Sequence, residues 1–350
     1  MQSETRSYQY GWYWIGLLVL LLGGVYALRL FLGSSGIGWP VGENASYFLQ
    51  LRSLRGTEAV CVGAALAVGG VALQVLLRNP LAEPYILGLS SGAAVGVMCQ
   101  MLIGFDLGIM LHLGVFSGKL DFLIEALSNH LGALVGSLVS LIIVYLIGQR
   151  KGVIDPLGLL LVGVILSSIN GSIIMLINYL PSPAGLREDL ARWMMGYLHE
   201  SLPVSTVWTI CVITGIGIAI LWTLAGDMDA ATFPSEEAHS LGVRLKRLRI
   251  ILFVIAGMLA SGAVVLAGPV AFVGLVCPHV ARLLVGPTHI RVIPASALCG
   301  AILILVADCF STWIDILTNR GRLPIGIFTA VIGGISFLWL LRPQLGRSNS

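Results

Sequence analysis

Residues 62–93 read VGAALAVGGVALQVLLRNPLAEPYILGLSSGA. From Val62 to Leu77 every residue is apolar or small except Gln74. Gly63, Ala67 and Gly70 recur at spacings of four and three, so a helix here carries one smooth face on which a second backbone can lie closely. Arg78-Asn79-Pro80 ends that helix with a charge and a helix breaker. Pro84 then opens a further apolar run at its first turn, where a missing N–H costs little. Ser90, Ser91 and Gly92 permit close approach near the start of that run. The stretch is therefore the end of one apolar helix, a tight turn, and the beginning of another. That pattern belongs to an all-α protein that crosses a membrane repeatedly.

The whole composition agrees. Of 350 residues, 57% are hydrophobic and only 11% charged, whereas a water-facing surface needs about 25% charged residues. Glycine, at 43 residues, exceeds the usual ~7%, as tight helix packing in lipid demands. These values exclude a soluble enzyme, a disordered chain and a disulfide scaffold. The formal charge of +3 gives no footing for nucleic acid. The six cysteines (Cys61, Cys99, Cys211, Cys277, Cys299 and Cys309) form no CxxC pair and read as small buried hydrophobes.

A spanning helix needs about 20 mostly apolar residues. Segments of that kind, or nearly so, fall at 12–32, 57–77, 85–104, 130–148, 152–179, 204–225, 250–268, 272–285, 292–316 and 324–341. About ten transmembrane helices are expected, in a single transmembrane domain covering 1–350. Tyr8, Tyr10, Trp12, Tyr13 and Trp14 anchor the first at the headgroups, and Arg29 near its far end is expected to snorkel. The polar segment 105–129 reads as an extracytoplasmic insertion. An amphipathic piece near 186–199 is too polar to span. The loop 226–249 ends in Arg244, Lys246, Arg247 and Arg249. Together with Arg78, Arg150 and Lys151, these cations place that side, and both termini, in the cytoplasm. Spans two to five and seven to ten are candidates for inverted repeats.

Catalytic chemistry is hard to find. Gly114 to Leu120 has one residue too few between its glycines for a phosphate loop, and Leu120 stands where Ser or Thr binds Mg²⁺. The histidines are scattered, and Cys277-Pro278-His279 reads as a helix start. Asp308 is the one acid clearly inside a span, thin support for a proton relay. A self-contained ion-coupled carrier is the alternative reading, and it needs several paired intramembrane charges. A membrane enzyme needs converging ligands.

Three stretches carry a family resemblance: 52–93, beginning Arg52-Ser53-Leu54-Arg55; 267–286, AGPVAFVGLVCPHVARLLVG; and 323–341, opening LPIGIFTAVIGG. Together they resemble the FecCD family, membrane-spanning subunits of ABC importers for ferric siderophores, haem and cobalamin. The resemblance implies a type II ABC importer permease. It implies a second copy of the chain, two cytoplasmic ATPase subunits that bind ATP and Mg²⁺, and an extracytoplasmic binding protein. No cofactor is expected in this chain itself. The stretch Pro234 to Val243 resembles the family's short coupling helices. Glu236, Glu237, Ala238, Leu241, Gly242 and Val243 are then expected at the ATPase contact, with Leu241 and Val243 as its apolar part. Ser235 suits a helix start and Gly242 a helix end. Arg52 and Arg55 match outer-face arginines that dock the binding protein, although the family's Leu-Pro-Arg reads Ser53-Leu54-Arg55 here. Ser167, Ser168, Asn170 and Ser172 are expected to line the translocation path. The expected home is the cytoplasmic (inner) membrane of a bacterium or archaeon.

Overall fold

The structure, a computed structural model, describes residues 11–33, 36–103, 131–150, 153–179, 193–198 and 202–346. The 105–129 insertion, the Gly114–Leu120 stretch and most of the 186–199 piece lie outside the described residues. Among the described residues the chain forms twelve α-helices and two minimal hairpins. Helix α1 is Gly11–Phe31. A hairpin of β1 (Leu32–Gly33) and β2 (Gly36–Ile37) turns the chain into α2, Ala45–Leu77. A 3₁₀ turn, Pro84–Leu87, precedes α3 (Leu89–Ile103). Next come α4 (Leu131–Ile147), the hairpin β3 (Gln149–Arg150) with β4 (Val153–Ile154), and α5 (Pro156–Tyr179). Then follow α6 (Val204–Thr223), the short α7 (Ala225–Ala230) and α8 (Ser235–Ser240), and α9 (Leu245–Ala267). The chain closes with α10 (Val273–Val285), α11 (His289–Thr318) and α12 (Ile325–Gly346).

Each of the ten apolar segments falls on a helix. Six of these helices (α1, α2, α5, α6, α9 and α11) are long and apolar enough to cross a membrane, and α4, α10 and the first part of α12 are shorter apolar helices. Boundaries differ where polar residues continue a helix. Helix α2 begins at Ala45 rather than near residue 57, so its 33 residues extend about 50 Å, well beyond a hydrocarbon core of about 30 Å. Helix α5 starts at Pro156 rather than at residue 152, because the β3–β4 hairpin intervenes. There Asp155 accepts the Gly158 N–H at 3.2 Å. Pro278 does not interrupt α10, which runs through it.

Helices α2 and α9 are the centre of the bundle, and most of their side chains are buried. Helix α2 packs against α11, α9, α10 and α6. The outer helices expose large apolar side chains such as Leu20, Ile142, Met175 and Ile216. Such a girdle fits hydrocarbon rather than water.

The close approaches use the glycines read from the sequence. A Cβ added at Gly63 would run into the Gly300 carbonyl of α11, and one added at Gly300 would meet both Gly63 and the Ala67 side chain. One added at Gly70 would strike the Gly274 backbone of α10. The smooth face of α2 is thus the seat of two other helices. Gly92 and Gly96 of α3 meet Gly136 and Gly132 of α4 in the same way. Near the turn after α2, the buried Glu83 carboxylate accepts the Phe272 N–H at 2.8 Å. Phe272, at φ 69°, is the N-cap of α10. Burial raises the Glu83 pKa, partly offset by that N–H bond.

Gly63→Ala is expected to force α2 and α11 apart and lower stability by about 1–3 kcal/mol, as overpacking does. Gly23→Ala on α1, where an added Cβ meets nothing within 4 Å, is expected to change stability by less than about 0.5 kcal/mol. Thermal unfolding of the two purified variants in detergent compares them directly.

Candidate functional site

Two regions at opposite ends of the bundle, and one helix face, bear on function. The first is a buried charge cluster joining α1, α2 and α11. Asp308 is 0% exposed and receives two guanidiniums. Arg29 Nε donates to its Oδ2 at 2.5 Å, and Arg55 Nε donates to its Oδ1 at 2.8 Å. Arg29 also donates to the Leu32 carbonyl at 2.7 Å, and Arg55 to the Leu198 carbonyl at 3.0 Å. The Arg55 guanidinium lies 5.6 Å from the Tyr197 ring centroid. Buried Glu58 lies one helical turn beyond Arg55 on α2. Asp308 pairs with both guanidiniums, as charges held inside a membrane require.

This arrangement corrects two expectations. Arg29 does not snorkel to headgroups: it is 1% exposed and points inward to Asp308. Arg55 is 3% exposed. Its charge is committed to Asp308, so in this conformation it offers no contact to a docking protein. Arg52, half-buried, donates to the Leu30 and Gly38 carbonyls at 2.8 and 2.7 Å. It ties α2 to the end of α1 and to the β1–β2 hairpin. Asp308 itself, flagged in the sequence only as an isolated acid, proves to be doubly paired.

The second region is at the other end. The segment 226–249 contains α7, α8 and the first turn of α9. Gly242, at φ 83°, ends α8 in the left-handed conformation that glycine adopts without strain. Its N–H reaches the His239 carbonyl at 2.9 Å, and the Val243 N–H reaches the Ala238 carbonyl at 3.2 Å. These two bonds form a Schellman cap. The cap sorts the expected contact residues. Ala238 and Val243 are turned into the chain's own core, so Val243 is not available to a partner. Leu241 is 62% exposed. Glu236 and Glu237 are exposed in the first turn of α8, and Phe233 is exposed just before it. The Arg78 guanidinium donates to the Phe233 carbonyl at 2.9 Å, fastening the segment to the end of α2.

The helix face is on α5. Ser168 and Ser172 are exposed and donate to the carbonyls one turn back, at 3.2 and 3.1 Å. They share that surface with exposed Ile165, Ile169 and Met175. Ser167 is half-buried and donates to the Gly163 carbonyl at 2.9 Å. Asn170 points inward, and its Nδ2 donates to Ser91 Oγ at 3.1 Å and toward Ser140 Oγ at 3.5 Å. The four residues therefore divide, two outward, one at the edge and one binding α5 to α3 and α4. No cluster of three or more metal-binding side chains occurs among the described residues.

Comparison with known proteins gives a consistent picture. The model of the FecCD transport family matches residues 16–343. The hemin transport system permease of Yersinia pestis is 32% identical over 346 residues, covering 94% of this chain and 95% of that protein. The cobalamin import system permease of Halobacterium salinarum is 32% identical, covering 89% and 81%. The Fe(3+)-citrate import system permease of Bacillus subtilis is 32% identical, covering 94% and 93%. Among solved structures, a metal-chelate type ABC transporter in an inward-facing conformation superposes with a TM-score of 0.75 at 27% identity, covering 94% of this chain and 98% of that one. PsaBC from Streptococcus pneumoniae shares the fold, with a TM-score of 0.53 at 14% identity, covering 85% and 93%.

Asp308→Asn is expected to cost about 3–5 kcal/mol, because it strands two buried guanidiniums. Arg29→Met combined with Asp308→Asn removes one of them and is expected to recover part of the loss. A thermal double-mutant cycle in nanodiscs measures both.

Proposed function

The chain belongs to the FecCD transport family, and from that premise we propose how it works as the membrane-spanning permease subunit of an ABC importer. The cargo class is an iron chelate, haem or cobalamin, supported by the relatives that carry hemin, cobalamin and ferric citrate. Those three cargoes are large, and a path for them must be wide and weakly interacting.

The working assembly is two copies of this chain, two ATPase subunits and an extracytoplasmic binding protein. The exposed apolar face of α5, with Ser168 and Ser172, and the exposed face of α12 around Val331, Ile332 and Ile335 meet their counterparts in the second copy. The path runs between them. The membrane is the cytoplasmic one, with both termini inside. This chain supplies no catalysis, and ATP and Mg²⁺ are bound by the ATPases.

The observation that carries this reading is the capped α8 segment. It presents Phe233, Glu236, Glu237 and Leu241 outward, while its cap and the Arg78 bond hold it rigidly to the bundle. A rigid projection transmits force in a way that a solvated loop does not. When the ATPases close on ATP, α8 is pushed, and the motion passes through Arg78 to α2. From α2 it reaches α10 and α11, whose backbones touch it at Gly274 and Gly300. The outer charge cluster keeps α1, α2 and α11 moving as one body.

The test is assembly and coupling. Leu241→Asp is expected to weaken co-purification of the ATPase at least about tenfold, since a central apolar contact is commonly worth more than about 1.4 kcal/mol. Val243→Ala, a change inside the chain's own core, is expected to reduce thermal stability by about 0.5–1.5 kcal/mol while leaving ATPase affinity unchanged. Equal ATPase binding by wild type and Leu241→Asp would remove α8 from the interface.

A further inference from the structure

Beside α8, at the same end of the bundle, lies a cavity of about 290 Å³ walled by helix ends rather than helix faces. Its lining includes Arg78 and Asn79 from the end of α2, Thr232 before α8, Arg282 of α10 and His289 at the start of α11. Among the described residues no acidic side chain lines it. Arg282 donates to Gln74 Oε1 at 2.6 Å, a neutral acceptor, and among the described residues Arg78 donates only to the Phe233 carbonyl. Neither arginine has an ion pair among the described residues. His289 Nδ1 is 2.6 Å from Asp229 Oδ1, while its buried Nε2 has no hydrogen-bond partner among the described residues. Two guanidiniums thus face one small cavity with no counter-charge in its wall.

Arg78 adds a second argument. It occupies the left-handed position that ends α2, at φ 48°. Its N–H bonds to the Val75 carbonyl, and the Asn79 N–H bonds to the Gln74 carbonyl, again a Schellman cap. Glycine is the ordinary residue there, and any other pays roughly 1–2 kcal/mol. An arginine held at that cost points to a use for its head group.

We propose that this cavity is an oxyanion pocket that receives a carboxylate side chain from the cytoplasmic ATPase subunit. The inference rests on the permease reading and deepens it by naming the chemistry of a second contact beside α8. A planar carboxylate matches the donor fork of a guanidinium, and two forks facing one space set its position. The opening lies among the ends of α2 and α11 and the turn before α8, on the surface that carries the coupling segment. Acyl chains coat helix flanks, so a lipid is the poorer occupant. A carboxylate here grips α2, α10 and α11 together, where α8 reaches α2 through Arg78 and packs on α9. Docking then couples the ATPase to the same three helices that meet through Gly63, Gly70, Gly274 and Gly300.

The experiment titrates the ATPase subunit onto the permease in phosphatidylcholine nanodiscs, at about 50 mM and about 300 mM salt, because screening separates charge from shape. Arg78→Gln and Arg282→Gln are each expected to weaken binding at least about tenfold at low salt and to flatten its salt dependence. Arg78→Lys and Arg282→Lys keep the charge and are expected to keep the salt dependence. A Lys at each ATPase surface acid in turn is expected to identify one position whose loss is not additive with Arg78→Gln. Gln variants that bind like wild type overturn the proposal, as do Lys variants that lose the salt dependence. A melting-temperature rise with inorganic phosphate that needs Arg78 and Arg282, with ATPase affinity unaffected by either Gln change, would assign a free-phosphate pocket instead and also overturn it. If the wild-type permease does not bind the ATPase, the permease reading falls together with the pocket. If wild type binds and the variants bind equally, the pocket alone falls.

Discussion

One carboxylate shared by two arginines holds one end of this bundle together. Asp308 of α11 takes Arg29 of α1 on one oxygen and Arg55 of α2 on the other. Removed from water, none of these groups is tolerable alone. Together they form one linked set, whose arginines also donate to the Leu32 and Leu198 carbonyls. A buried pair of this kind is weak ground for net stability and better ground for a fixed arrangement. Here it fixes which turn of α1 faces which turn of α2 and α11. The first helix, otherwise mostly exposed and apolar, is located by this contact and by the Tyr26 hydroxyl bond to the Ser53 carbonyl at 3.0 Å.

Further along, shape replaces charge. Gly63 on Gly300 and Gly70 on Gly274 bring backbones together without side chains between them. At the opposite end, Arg282 reaches Gln74 of α2 and Arg78 reaches the turn before α8. Helix α2 is therefore joined to its neighbours by ions at one end, glycines in the middle and hydrogen bonds at the other. On the proposed reading, a push at α8 has a continuous route through the bundle. The polar bond from Asn170 to Ser91 and Ser140 does the corresponding work between α5, α3 and α4.

Much of this was legible in the sequence because the cues are local. Apolar length located the ten helices, the spacing of Gly63, Ala67 and Gly70 marked the packing face, and Gly242 marked the end of α8. What escaped was set by distant or subtle partners. Arg29 and Asp308 are 279 residues apart, and nothing near Arg29 distinguishes an inward arginine from a snorkelling one. Arg55 looks like an outer-face charge until the Asp308 carboxylate is placed beside it. Leu241 and Val243 look equivalent as apolar neighbours, and only the Schellman geometry turns one out and the other in. The early start of α2 escaped because residues 45–56 are polar enough to lie beyond the hydrocarbon, where helix continues without an apolar signature.

The buried cluster also bears on the source of energy. A proton relay needs an acid that gains and loses its charge as the cycle turns. Asp308 is instead held by two guanidiniums in one fixed arrangement, and on the proposed reading the energy for transport enters through α8. The most direct measurement is uptake of haem or a ferric chelate into proteoliposomes containing this chain, its ATPase and its binding protein. One set is given ATP, and another, lacking the ATPase, an imposed proton or sodium gradient. Uptake that requires ATP and the ATPase, and that an ion gradient cannot replace, is the expected result. Accumulation driven by the gradient with no ATPase present would contradict the account.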